Sequence, residues 1–177
     1  MRINVVGTSG SGKSVFSQRI AQLLNAPHIQ LDELHWKPNW EASSNEELLA
    51  KIERALSAEK WILDGNYAKT IPIKWKRVQM VVYLDLPFHV FLYRIIKRSL
   101  LRGITREPLW QGNRETVWQH FFTSKSMILW TIKTFHKNQR ELTALMNNDD
   151  YSQIEFVRLR SKAELERFIA QGRFRGS

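Results

Sequence analysis

Residues 7–14 read GTSGSGKS and follow directly on RINVV at 2–6. The octet satisfies the spacing G-x-x-x-x-G-K-[ST]. In that pattern the glycines let backbone N–H groups curl inward around phosphate oxygens, the lysine reaches the β and γ phosphates, and the hydroxyl ligates magnesium. Glycine and serine also fill ordinary flexible turns, so the flanks decide the reading. RINVV has the pattern of a short buried strand, and Lys13 to Leu24 (KSVFSQRIAQLL) carries apolar residues at helical spacing. Strand, glycine turn and helix in that order predict a nucleotide-binding cradle of Gly7, Ser9, Gly10, Ser11, Gly12, Lys13, Ser14 and Val15. The helix that opens there adds its positive end to the phosphate site.

The alternation continues along the chain. His28 to Leu31 reads as a second strand, Ser43 to Ser57 as a polar helix capped at Ser43 or Ser44, and WILD at 61–64 as a third strand. VQMVVYL at 78–84 is a fourth, with the unbroken apolarity of a strand covered on both faces. Pro87 suits the first turn of a long helix running to about Leu101. From Arg102 to Arg114, with Gly103, Pro108 and Gly112, the sequence reads as loop, and the Trp/Phe-rich stretch to about Met146 as helix. Together these make a helical lid over about 102–140, with Trp110, Trp118, Phe121, Phe122 and Trp130 as its packing residues. IEFVRL at 154–159 is a fifth strand, and Ser161 and Glu164 then stand at capping-box spacing. Five strands alternating with helices imply an α/β fold with a parallel sheet, right-handed crossovers and helices on both faces.

A chain of 177 residues, 43% hydrophobic, suits a single domain. It has no cysteine, which removes disulfides and thiolate zinc sites and leads us to expect a reducing cytoplasm. The N-terminus lacks the apolar core of a signal peptide, and no run is long enough for a membrane span, so a soluble protein is expected. The net charge of +10 is uneven: residues 1–75 hold nine Lys/Arg against eight Asp/Glu, whereas 76–177 hold eighteen against nine. Such a basic half serves either a nucleic-acid backbone or a triphosphate and its transferring phosphate.

Phosphoryl transfer needs a carboxylate to orient magnesium and cations to neutralise the phosphoryl in flight. Asp64, closing WILD, stands at the sheet edge where α/β ligands bind and suits the first role with Ser14, and Gly65, Asn66 and Tyr67 follow it. For the second role, Arg94, Arg98 and Arg102 recur every four residues on one helical face, within a stretch to Arg140 where ten basic residues face only Glu107 and Glu115. LDELHWKPNW at 31–40 mixes acids and aromatics at the end of the second strand. It reads as a candidate binding loop, with His35 as a base or hydrogen-bond partner and Trp36 and Trp40 as pocket walls or loop anchors. His89, His120 and His136 share no metal-ligand spacing and receive no role.

The N-terminal GTSGSGKS, then LDELHWKPNW, WILDGNY, VVYLDLPFHVFLYRIIKR and VRLRSKAELERFI together resemble the bacterial DNA topology modulation proteins, a branch of the adenylate-kinase-like P-loop family. The resemblance covers nearly the whole chain and implies a five-stranded parallel sheet of order 2-3-1-4-5. It implies that Arg94 and Arg98 contact phosphates, as two lid-helix arginines do in adenylate kinases, and that Asp32 faces the acceptor hydroxyl as in related small-molecule kinases. Adenylate kinases carry DGFPR after strand three, whereas this chain has Asp64-Gly65-Asn66-Tyr67, and the substrate-side arginine is not evident. AMP is therefore not implied as the acceptor. The family's name implies a link to DNA supercoiling, yet no helix-turn-helix or zinc-finger pattern accompanies it.

The expected activity is a magnesium-dependent kinase moving the γ-phosphate of ATP to a small-molecule or nucleotide acceptor. Lys13, Asp32, Arg94 and Arg98 would be its catalytic residues, and His35, Trp36, Asp64, Gly65, Asn66 and Tyr67 would join Asp32 around the acceptor. The acceptor side would span about 32–60. A nucleotide-regulated nucleic-acid-binding protein and a slow ATPase switch are the alternatives.

Overall fold

In a computed structural model, residues 1–105, Gln111 and 127–175 are described. Five strands form one sheet: β1 (Arg2–Gly7), β2 (His28–Gln30), β3 (Trp61–Asp64), β4 (Met80–Leu84) and β5 (Glu155–Leu159). All pair in parallel, in the order β2-β3-β1-β4-β5. The expected sheet is therefore the one observed.

The helices are α1 (Lys13–Leu24), α2 (Leu31–His35), α3 (Asn45–Ala55), α4 (Ile71–Lys74), α5 (Phe88–Thr105), α6 (Met127–Met146) and α7 (Lys162–Gln171). Strand alternation divides the core between the two faces. Ile3, Val5, Ile62, Met80 and Val82 bury against Phe16 and Ile20 of α1 and Phe168 of α7. On the other face Val6, Trp61, Leu63, Val81 and Tyr83 pack on Leu48 and Ile52 of α3, Ile71 of α4 and Leu142 of α6. Phe91 and Ile95 of α5 meet Phe135 of α6 in a smaller cluster.

Several boundaries differ from expectation. α3 begins at Asn45 because Ser44 makes the full capping box: its hydroxyl accepts from Glu47 N, and the Glu47 carboxylate accepts from Ser44 N. Pro87 stands just before α5 and not within it, its carbonyl accepting from Val90 N. α5 continues to Thr105, so Arg102 and Gly103, expected in a loop, are helical. One interior glycine costs a helix only about 1 kcal/mol, too little to break a helix of eighteen residues. LDELH, expected as loop, is the short helix α2, anchored by the fully buried Leu31 with Asp32 and Glu33 in its first turn. The expected lid loop and its tryptophans, from Glu107 through Phe122, lie outside the described residues apart from Gln111.

Candidate functional site

The site lies at the C-terminal edge of the sheet, where β1, β2 and β3 deliver their last residues. After β1 the chain turns through Gly7–Gly12 with Ser11 N donating to the Thr8 carbonyl, and α1 begins at Lys13. Gly10 has φ +81°, and a Cβ there would sit 2.7 Å from Ile95 Cγ1 and 2.9 Å from the Phe91 carbonyl oxygen. Gly12 has φ +93° and faces Arg94. Glycine at both positions is thus required by the turn and by the close approach of α5.

The two arginines assigned to a clamp lie against this turn. Arg94 donates to the Ser11 carbonyl at 2.9 Å and Arg98 to the Ser9 hydroxyl at 3.1 Å. Their four-residue spacing on α5 turns both toward the cradle. The side chain of Arg102 is not among the described ones. Lys13 Nζ donates to the Thr8 carbonyl at 3.3 Å, and burial pushes its pKa down while Asp64 and Asp32 pull it back up. Donor-side lysine and both carboxylates therefore share one electrostatic neighbourhood. Ser14 and Val15 are exposed at the start of α1.

Asp64 ends β3 in register with Val5 and Gln30, is 6% exposed, and among the described residues its Oδ1 has no hydrogen-bond partner. An orphaned carboxylate oxygen beside a phosphate cradle fits a hard cation, with the Ser14 hydroxyl as a second oxygen donor. Among the described residues no three His, Cys, Asp or Glu side chains gather to hold a metal by themselves. That suits magnesium, which takes one or two protein ligands and completes its shell with phosphate and water.

Asp32 stands in the first turn of α2, where its Oδ1 accepts from the Tyr67 hydroxyl at 2.7 Å. Burial, with Asp32 beside it, raises the Tyr67 pKa well above its ordinary value, so the phenol stays a donor. The His35 ring lies 5.0 Å from that of Tyr67 and 4.7 Å from that of Trp36; its Nδ1 is buried without a partner among the described residues, and burial pushes its pKa down. Trp36 and Trp40 meet edge to face at 5.6 Å. Gly65 is held at φ +134° with Leu31 Cβ 2.8 Å from where its own Cβ would be. Asn66 is half-buried in the same turn. Asp32, His35, Trp36 and Tyr67 are thus one cluster, while Asp64 faces the cradle.

Sequence reasoning missed the residues that hold this turn. Asn4, fully buried in β1, donates to the carbonyls of Leu63 and Gly65 and accepts from the Trp75 indole at 2.9 Å. Thr70 and Lys74 both donate to the Tyr67 carbonyl. Asp85, in the Asp-Leu-Pro segment, receives Tyr83, Gln139 and Arg158. A polar residue inside RINVV was a readable signal for Asn4, whereas IPIKWK marks nothing special at Lys74.

The model of a family described as an AAA domain matches residues 3–115. No curated protein matches the chain. Among solved structures, the crystal structure of a gluconokinase from Sinorhizobium meliloti 1021 is similar at 18% identity with a TM-score of 0.48, over 99% of this chain and 97% of that one.

Proposed function

This chain belongs to the AAA-domain family, and on that premise we propose that it is a magnesium-dependent phosphotransferase moving the γ-phosphate of ATP to a small acceptor held at Asp32. The observation that carries the proposal is the shared field of Lys13, Asp64 and Asp32 beneath two arginines already bonded to the cradle. Backbone N–H groups of Gly7–Ser14 hold the donor phosphates, and Lys13, Arg94 and Arg98 meet the charge that develops on the phosphoryl in flight. Asp64 and Ser14 would hold magnesium, which when bound neutralises phosphate charge and orients the donor. Asp32 takes the proton of the acceptor hydroxyl, whose oxygen attacks the γ-phosphorus as the β–γ bridging P–O bond breaks and ADP leaves. Tyr67 holds Asp32 in place by its hydrogen bond. Residues 32–60 form the acceptor side, within a single domain and a cytoplasmic setting.

The test is incubation with ATP, magnesium and a panel of nucleosides, sugars and nucleotides, followed by detection of phosphorylated product. Asp32→Asn is expected to lower kcat about 100-fold or more with little change in ATP affinity, and Lys13→Ala to abolish ATP binding. An unmodified panel together with intact ATP binding by Lys13→Ala sinks the proposal. Equal ATPase rates in Asp32→Asn and wild type would instead mark a slow ATPase switch.

A second reading, nucleotide-regulated binding of nucleic acid as the topology-modulation resemblance implies, is supported by the exposed Lys133, Lys137 and Arg140 on α6. It places the basic half on a phosphate backbone, with no base-reading motif to give it sequence preference.

A further inference from the structure

We infer that the acceptor is an uncharged, ring-bearing alcohol, a nucleoside or a cyclic sugar, stacked along an aromatic ladder that leads out from Asp32. The inference rests on the phosphotransferase reading above and names the class of compound that site receives.

The ladder is continuous. Tyr67 bonds Asp32 at 2.7 Å. From Tyr67 the rings run to His35 at 5.0 Å, to Trp36 at 4.7 Å and to Trp40 at 5.6 Å, and all four are half-buried, with part of each surface open to solvent. Large aromatic rings that serve only as core fillers are covered, as Trp61 and Trp75 are in this protein. Rings kept partly bare beside an acid instead offer faces to a planar base or to the C–H side of a sugar.

The loop that carries them is built to hold that shape. Trp36 pairs with Ala42 across a bridge, Lys37 N donates to the Glu41 carbonyl, and Ser43 N donates to the His35 carbonyl, both at 2.8 Å. Lys37 ties the loop to α3 through Glu47 at 2.7 Å. At its tip Asn39 and Trp40 both take left-handed backbone, φ +61° and +58°. Asparagine takes that region readily, whereas a bulky side chain there is strained. The strain positions the Trp40 ring against Trp36.

Charge narrows the class. Between residues 28 and 76 the sequence has one arginine, Arg54, exposed in the last turn of α3. A bidentate grip on an acceptor phosphate would call for an arginine, and the lysines at this loop are already engaged, Lys37 with Glu47 and Lys51 with the Leu34 carbonyl and the Ser43 hydroxyl, so the ladder offers π faces and a carboxylate instead. Tyr67 occupies Asp32 Oδ1, and among the described residues Oδ2 remains for the acceptor hydroxyl.

The experiment offers adenosine, guanosine, cytidine, ribose and glucose, each beside its monophosphate, to the full chain. Binding is measured by calorimetry with a non-hydrolysable ATP analogue present, and transfer by product detection with ATP and magnesium. Wild type is expected to bind and phosphorylate an uncharged member at least about tenfold better than its monophosphate, nucleoside or sugar according to which ring the ladder fits. Trp40→Leu should raise KM about tenfold with kcat within about threefold, and Trp40→Tyr should recover most of the loss. Preference for a monophosphate, no binding by any uncharged member, or a Trp40→Leu variant that loses thermal stability with KM unchanged would overturn the inference. Ring-dependent binding without phosphate transfer would leave the ligand class standing and remove the phosphotransferase reading, so the two failures are distinguishable.

Discussion

Lys74 is 1% exposed, and among the described residues its ammonium donates only to the Tyr67 carbonyl, at 3.3 Å, with no carboxylate beside it. Burial therefore pushes its pKa down from 10.5 to about 7. An unfolded lysine keeps its proton up to its ordinary pKa while the folded one releases it near 7, so in between the unfolded state binds more protons and stability rises with pH. Urea unfolding between pH 7 and pH 10 should show a gain on the order of a few kcal/mol. Lys74→Met should be at least as stable at pH 7 and should make that slope shallower, leaving the contribution of Lys13, whose pKa moves the same way. A slope unaltered by Lys74→Met would show that the ammonium is solvated. This residue was illegible in the sequence because IPIKWK gives no periodicity that separates a buried lysine from an exposed one. Asn4 was legible as an oddity, one amide in an apolar strand, but its partners Gly65 and Trp75 lie 61 and 71 positions away.

Between elements, the decisive contact is α5 against the phosphate turn. Gly10 leaves no room for a methyl group between the turn and the Phe91 carbonyl, and the same stretch of α5 carries Arg94 and Arg98. Gly10→Ala should cost about 1–3 kcal/mol in urea unfolding, through overpacking and backbone strain, and should weaken ATP at least about tenfold in calorimetry because α5 is displaced with its clamp. Unchanged ATP affinity would show that the arginines act independently of this seat. The cradle was readable because all its parts are consecutive, strand, turn and helix within 23 residues. The acceptor cluster was readable only in part: Asp32, His35 and Trp36 are neighbours in sequence, whereas Tyr67 joins them only through the pairing of β2 with β3. α2 escaped notice because five residues are too few to display a helical period.

Across the whole molecule, two apolar layers enclose the sheet, and the positive charge gathers in the second half of the chain. If that charge meets a nucleic-acid backbone, affinity for duplex DNA should fall steeply and linearly on a log-log plot against salt, and Lys133→Gln with Lys137→Gln should shallow the slope by about two. A phosphotransferase whose cations serve only the nucleotide would show neither effect. Among the described residues no helix is long and apolar enough to cross a membrane. The sequence by itself determined the cradle, the strand count, the parallel sheet and the Arg94–Arg98 face, because each follows from local spacing or from the chirality of short crossovers, whereas the strand order came only from the family resemblance. The tertiary structure alone decided that Tyr67 bonds Asp32, that Asp64 keeps an oxygen by the cradle unpartnered among the described residues, that Lys74 is buried, and that four aromatic rings form one ladder. Those are contacts between segments distant in the chain, set by how the strands register and the helices pack, and no one-dimensional spacing encodes them.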